Sequence, residues 1–209
     1  MSIVSFRFVL VVTGVLAVFY LLNPKHRNIF IALLSCGFIA TYTYVGLAYI
    51  VLFATFNYYT GLLLSRTKSV KAVFRAGIII NIIQLVILRY ATFAIDPFLQ
   101  ILNVDYKFSL VSEIVVPIGI SYYTLQGIGY LINVKMRWEK PERNYIDFLV
   151  YITYFPKFLS GPVERSNHFL PQLKAHKAFD SSQVAEGMKL VLIGFFKKVA
   201  IANQLAPYA

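Results

Sequence analysis

Acidic side chains are scarce in this sequence. Nine Asp and Glu residues stand against twenty Lys and Arg residues, which gives a formal net charge of +11. No acidic residue occurs before Asp96. Charged residues make up only 14% of the 209 positions, 58% are hydrophobic, and the mean hydropathy is +0.67. This low charge density excludes a water-soluble domain and indicates that lipid is the solvent for much of the surface.

Residues that build disulfides and metal sites are equally rare. The single cysteine, Cys36, excludes a disulfide framework within the chain. The three histidines, His26, His168 and His176, lack the Cys, Asp or Glu partners at a spacing that would predict zinc. We therefore expect no metal site and no bound cofactor, and we assign all three histidines to the surface.

Long apolar runs dominate what remains. A helix needs about 20 apolar residues to cross the hydrocarbon of a bilayer. Five runs approach that length: 3–22, 28–44, 47–64, 76–94 and 111–134. Two others, 145–160 and 187–205, are interrupted by Pro156 and by Lys197 with Lys198, so we predict re-entrant or interfacial segments there. The sequence thus predicts an all-α, polytopic transmembrane bundle, with 1–209 as a single transmembrane domain.

The basic residues lie between these runs. Nucleic-acid binding would need a basic face on a soluble scaffold, so it is not expected. Positive charge concentrated in alternate connectors is typical of proteins that keep those connectors in the cytoplasm. We predict a multi-pass protein of the inner membrane with an extracytoplasmic N-terminus, in contact with membrane lipid.

The segment 117–130 places small and polar residues in an otherwise apolar helix. Ser121 and Gln126 are candidates for the wall of a substrate path, although close helix packing is the more common reason for small residues in such a helix. Tyr123 stands where a nucleophile elbow requires glycine, which excludes that motif. The tyrosines in this helix need polar partners for their hydroxyls, and backbone carbonyls are the expected ones.

The segment 154–165 is the most informative. Two prolines and a glycine within seven residues cannot continue a regular helix, so backbone polar groups are freed close to membrane depth. Charge occurs in the same segment, which favours a substrate path, with an interfacial loop as the alternative. The candidate residues are Phe155, Pro156, Lys157, Gly161, Pro162, Glu164 and Arg165.

Several segments carry a family resemblance. They are 117–126, 129–131, 143–148, 155–165, 168–173 and 187–207. In their order and spacing, the chain resembles the membrane-bound O-acyltransferase family, in the branch of the alginate O-acetylation membrane subunit. Agreement extends from about Glu113 to Ala209 and is compositional before that. Lys157 departs from the branch, in which glutamine is common at this position.

The resemblance implies an enzyme that passes an acyl group, expected to be acetyl, from a cytoplasmic thioester to a hydroxyl of an exported polysaccharide such as alginate. Acetyl-coenzyme A is the expected donor, and extracytoplasmic polysaccharide acetylation proteins are the expected partners. Family members use an intramembrane histidine as general base and are about twice this long. We expect this sequence to be an N-terminal part without that histidine, and so to be inactive alone. The alternatives are a non-enzymatic membrane scaffold and a polysaccharide export or transport subunit.

Overall fold

The computed structural model describes residues 6–101, 119–158, 163–175, 179–202 and 204. Every regular element in these ranges is helical, which confirms the predicted all-α class. The chain divides into two compact units, one formed by Met1–Pro24 with His176–Ala209 and the other by Lys25–Ala175.

The described part of the chain forms a series of helices. They are α1 (Phe6–Leu21), α2 (Pro24–Ala40), α3 (Tyr44–Arg66), α4 (Val70–Ile101), α5 (Ile120–Lys135), α6 (Tyr145–Thr153), α7 (Phe155–Phe158), α8 (Ser166–Lys174) and α9 (Ser181–Phe196), with a π-helix at Lys197–Ala202.

Local chemistry explains where several helices begin. Thr43 caps α3 by accepting from the Gly46 N–H, and Asn144 caps α6 by accepting from the Ile146 N–H. Pro24 occupies the first position of α2, where its missing N–H costs nothing and its fixed φ suits a helix. The run predicted at 28–44 therefore begins four residues earlier than expected and ends at Ala40.

The run predicted at 111–134 also needs correction, because the helix that covers its second half begins at Ile120. Gly119 precedes it with φ of 78°, a left-handed conformation that interrupts a right-handed helix. A Cβ at this position would lie 2.8 Å from the Phe158 carbonyl oxygen. The glycine thus sets the start of α5 and lets α7 approach it. Residues 111–118 of the prediction lie outside the described ranges.

Helices α3, α4 and α5 pack through small residues. A Cβ on Gly61 would lie 2.5 Å from the Tyr130 ring, and one on Gly77 would lie 3.1 Å from Leu131. A Cβ on Gly127 would lie 2.8 Å from the Phe53 ring. The small side chains permit close backbone approach, as is typical of membrane helices. These contacts run in the same order along α3 and α5, so those two helices are parallel.

Helix α4 is antiparallel to both. Its Asn81 exchanges hydrogen bonds with Asn57 of α3, at 3.0 and 3.3 Å, and both side chains are fully buried. One turn further along, the Gln84 side chain accepts from the Tyr49 hydroxyl and donates to Thr124 at 3.5 Å. Amides buried among apolar helices must find partners, so these pairs fix the register of α3, α4 and α5.

The α3–α4 connector and the residues that follow α5 lie at one end of the second unit. Tyr58 donates to the Arg143 carbonyl oxygen at 2.6 Å, and the Lys135 ammonium lies 4.2 Å from the centre of the Phe74 ring. Asn28 donates to Asp147 at 2.8 Å, which brings the start of α2 to the same end. The basic residues Lys25, Arg27, Arg66, Lys68, Lys71, Arg75, Lys135, Arg137, Lys140 and Arg143 all belong to these connectors or the adjoining helix turns.

Two helices are long and apolar enough to cross a membrane, Tyr44–Arg66 and Val70–Tyr90, while Val11–Leu21 is apolar but shorter. By length and composition alone, the described residues therefore support two of the five predicted membrane spans. Exposed apolar side chains such as Ile79, Ile83, Ile87 and Leu52 line these two helices. Such faces suit lipid contact.

The first unit combines α1 with α9 and the π-helix. The rings of Tyr20 and Phe179 meet edge to face at 5.2 Å, and Asp180 caps α9 by accepting from the Ser182 N–H. None of the described side chains of α9 or the π-helix is buried. The described part of the segment predicted at 187–205 continues a helix that already begins at Ser181.

Candidate functional site

The second unit contains a helix break where the sequence predicted one. Helix α6 ends at Thr153, Tyr154 turns the chain with φ of −46° and ψ of 108°, and α7 adds one turn. The Phe155 N–H, which α6 leaves free, donates to the Ser35 hydroxyl of α2 at 3.2 Å. Pro156 has no N–H to satisfy. The Phe155 backbone N–H, released by the break, is thus partnered by protein.

Lys157 follows the break and is buried. Its Nζ lies 3.5 Å from Glu164 Oε2, 3.9 Å from the centre of the Phe169 ring and 5.0 Å from that of Tyr151. An ammonium over aromatic faces is attracted by the ring quadrupole, and the carboxylate neutralises its charge. Lys157 Nζ nevertheless has no hydrogen-bond partner among the described residues.

A small cavity lies between the start of α5 and the break. Its volume is about 10 Å³, and it is lined by Gly119, Tyr122, Tyr123, Gln126, Ile152, Lys157 and Phe158. The Tyr123 ring is fixed by stacking on Phe158 and by an edge contact with Phe53. Its hydroxyl is buried and has no hydrogen-bond partner among the described residues.

Tyr151 holds the segment after the break against α5. Its hydroxyl lies 3.2 Å from the Gln126 carbonyl oxygen and 3.1 Å from the Glu164 carbonyl oxygen. One hydroxyl proton is shared between these two acceptors. The residue was not among the sequence candidates, since a tyrosine in an apolar run predicts packing more often than function.

The structure brings together some of the predicted site residues and separates others. Gln126 and Lys157 line the same cavity, and Glu164 pairs with Lys157. Ser121 is half-buried in the first turn of α5, outside the cavity lining, and Arg165 is exposed at the start of α8. Gly161 and Pro162 lie outside the described ranges.

A polar network anchors α8 at the basic end of this unit. The Ser166 hydroxyl donates to Glu139 at 2.5 Å and accepts from the Asn133 side chain at 3.0 Å. The buried Glu142 carboxylate lies 2.6 Å from the Lys174 ammonium and accepts from the Arg143 and Asn144 N–H groups. Burial raises the pKa of Glu139 to about 7, against the lowering effect of the Ser166 and Asn133 hydrogen bonds.

The described histidines do not enter the site. His26 is exposed, and His168 is 71% exposed, with Nδ1 3.5 Å from Glu164 on the outer side. Among the described residues, no group of His, Cys, Asp and Glu could hold a metal ion.

Comparison with known proteins finds relatives that are named for O-acetylation of alginate or peptidoglycan. The chain is 31% identical over 199 residues to "Probable alginate O-acetylase AlgI" of Azotobacter vinelandii, covering 93% of this chain and 40% of that protein. The protein of the same name from Pseudomonas aeruginosa is 31% identical over 202 residues, with 93% and 38% covered. A peptidoglycan O-acetyltransferase of Helicobacter pylori is 26% identical over 220 residues, with 91% and 41% covered.

The relatives with the highest coverage of this chain are named for O-acetylation of alginate or peptidoglycan. The resemblance to the alginate O-acetylation branch is confirmed, since the chain aligns along 93% of its length with proteins named alginate O-acetylases. The chain spans about 40% of the length of these relatives. No family model matches the sequence, and no solved structure matches it.

Proposed function

We propose that this chain is part of an enzyme that transfers an acyl group, acetyl in the first instance, to a hydroxyl of an exported cell-surface polysaccharide. The observation that carries the proposal is the similarity, along 93% of the chain, to proteins named alginate O-acetylases. Another relative is named for O-acetyl transfer to peptidoglycan, which is likewise a polymer of the cell envelope.

The donor is a cytoplasmic thioester such as acetyl-coenzyme A, which approaches the basic end of the second unit. Coenzyme A is polyanionic and cannot cross hydrocarbon, so only the acyl group passes inward. Lys68, Lys71 and Arg75 supply uncompensated positive charge there, since they form no ion pair among the described residues. The basic end therefore faces the cytoplasm of the inner membrane, and the chain's N-terminus lies outside.

The general base of the transfer is neither His26 nor His168, because both side chains are exposed and lie outside the cavity. The base must remove a proton from the acceptor hydroxyl within hydrogen-bonding distance of it. Substitution of either histidine by alanine should leave transfer unchanged.

Acetyl transfer can be measured directly. Membranes containing the product of the complete gene, in a host that exports alginate, receive labelled acetyl-coenzyme A on the cytoplasmic side. We expect label in the exported polymer as alkali-labile ester. Membranes that export the polymer normally but leave it unlabelled would contradict an acyltransferase and favour a scaffold or export role.

The proposed approach of the acyl donor to the basic end of the second unit can be tested separately. Lys68→Glu combined with Lys71→Glu should raise the KM for acetyl-coenzyme A several-fold with little change in kcat, since local positive charge is replaced by negative charge. Lys189→Glu, on exposed α9, is the matched control and should not change the KM. Equal KM values for all forms would place the donor elsewhere.

A further inference from the structure

The connector that follows α5, residues 136–144, separates its charges between two sides. Both of its acidic residues face the protein. Glu139 accepts from the Ser166 hydroxyl at 2.5 Å. Glu142 is 4% exposed, and its carboxylate lies 2.6 Å from the Lys174 ammonium. The basic residues of the connector are exposed and form no ion pair among the described residues: Arg137, Lys140 and Arg143. The outward side of this connector therefore carries only positive charge.

The single tryptophan of the sequence lies in the same connector. Trp138 is 63% exposed. Its backbone N–H donates to the Asn133 carbonyl oxygen at 3.0 Å, and the Arg137 N–H donates to the Val134 carbonyl oxygen at 3.1 Å. These are the two hydrogen bonds of a Schellman motif, which ends a helix. They fix the Trp138 backbone directly beyond the end of α5.

Arg137 occupies the position of this motif that favours glycine. Its φ is 60°, in the left-handed region where any side chain other than hydrogen costs free energy. A residue held in a sparsely populated conformation is a reason to look for a role of its side chain. The guanidinium of Arg137 is thus placed on the outward side of the connector at a conformational cost.

An apolar stripe leads along α5 to this connector. Leu125, Ile132 and Met136 are separated by seven and four residues, so they share one face of the helix, and each is more than a third exposed. Indole rings and long cationic side chains are favoured where hydrocarbon meets lipid headgroups. The order of apolar stripe, tryptophan and cations matches that boundary. A polar ligand such as a nucleotide would leave the stripe uncovered.

We propose that residues 136–143 bind the anionic headgroups of a phospholipid surface, with the Trp138 ring at the boundary between hydrocarbon and headgroups. Each cation near an anionic surface strengthens this attraction several-fold. The inward orientation of Glu139 and Glu142 removes the charges that would oppose it. The inference does not rest on the proposed function, because it requires neither an acyl donor nor an acceptor polymer.

Trp138 itself reports the contact, because no other tryptophan contributes fluorescence. The chain is reconstituted into phosphatidylcholine vesicles that contain an equal mole fraction of either brominated phosphatidylglycerol or brominated phosphatidylcholine. At low salt, we expect the quenching constant to be several-fold larger for the anionic lipid, and we expect high salt to reduce the difference by screening exposed charges. Equal quenching by the two lipids at low salt would overturn the proposal.

Arg137→Gly combined with Lys140→Gln separates charge from folding. Glycine suits the positive φ, so this double variant should unfold at or above the wild-type temperature, while its preference for the anionic lipid should fall several-fold. Lys189→Gln combined with Lys197→Gln removes the same charge from exposed positions of α9 and the π-helix, and it should keep the wild-type preference. An unchanged preference in the Arg137 and Lys140 variant would contradict the assignment.

Two other occupants of this surface give different signals. A nucleotide would change Trp138 fluorescence when acetyl-coenzyme A is added to vesicles of phosphatidylcholine alone. Another protein segment, or a second copy of the chain, would shield Trp138 from both brominated lipids and from aqueous acrylamide. Either signal in place of the lipid preference would overturn the proposal. No turnover is measured, so absence of acetyl transfer would bear on the proposed function alone.

Discussion

The packing of α5 on α3 makes one sharp prediction, because two glycines on the same helix have opposite surroundings. A methyl group at Gly127 would lie 2.8 Å from the Phe53 ring and 3.1 Å from the Asn57 amide. A methyl group at Gly129 meets nothing within 4 Å. Gly127→Ala should therefore destabilise the protein, and Gly129→Ala should stabilise it.

The expected change in the free energy of unfolding has two contributions. Replacing glycine by alanine inside a helix gains about 0.5–1 kcal/mol, and this term applies at both positions. Overpacking adds a cost of about 1–3 kcal/mol at Gly127 only. Phe53 cannot swing away cheaply, because it is buried against Tyr123 with ring centres 5.0 Å apart. The net loss for Gly127→Ala is on the order of 1–2 kcal/mol, against a gain of about 0.5–1 kcal/mol for Gly129→Ala.

Unfolding in detergent, followed by far-ultraviolet circular dichroism, measures both variants. We expect the midpoint to fall by about 2–8 °C for Gly127→Ala and to rise by about 1–4 °C for Gly129→Ala. Adding Phe53→Leu should recover part of the Gly127→Ala loss by making room for the methyl group. Shifts of the same sign and size for the two alanine variants would refute the packing of α3 against α5.

Three further predictions concern the same unit. Gly61→Ala should cost more than Gly127→Ala, about 2–4 kcal/mol by thermal unfolding, because the new methyl group lies 2.5 Å from the fully buried Tyr130 ring. Asn81→Leu should cost about 1–3 kcal/mol in the same assay, because it leaves the Asn57 amide oxygen buried and unpaired, and a cost near zero would contradict the amide pair. The raised pKa of Glu139 means that the folded state binds a proton more tightly than the unfolded chain, so the free energy of unfolding should fall as the pH rises from 4.5 to about 7, by less than the full shift would give because solvent screens the partly exposed carboxyl. Glu139→Gln should remove that pH dependence, and an unchanged slope would show that another group titrates.

The sequence predicted the helical class and a break near 154–165, because both depend on local chemistry. Long apolar runs require helices in lipid, and Pro156 with its neighbours cannot continue one. The predicted start of α5 was wrong for an equally local reason, since an apolar run does not reveal that Gly119 adopts a positive φ. Only the approach of the Phe158 carbonyl makes that conformation necessary.

Which residues meet at the candidate site depends on contacts between segments that lie far apart in the sequence. Lys157 and Glu164 were predicted as candidates from charge near a break, but their pairing and the surrounding rings follow from the return of α8 over α6. The tyrosines of α5 were expected to bond backbone carbonyls, but the Tyr130 hydroxyl accepts from the Glu142 N–H. Outside this helix, Tyr58 and Tyr151 do donate to backbone carbonyls. The Tyr123 hydroxyl has no hydrogen-bond partner among the described residues, and no feature of the local sequence distinguishes Tyr123 from its neighbours.

The membrane arrangement is the claim on which the donor-side proposal depends. In a Cys36→Ser background, single cysteines at the exposed positions Lys68, Lys140 and Thr41 report the side of the membrane that each connector faces. An impermeant maleimide applied to intact spheroplasts should label Thr41→Cys at once, and should label Lys68→Cys and Lys140→Cys only after permeabilisation. Labelling of Lys68→Cys and Lys140→Cys from opposite sides would contradict both the bundle and a single cytoplasmic mouth for the acyl donor.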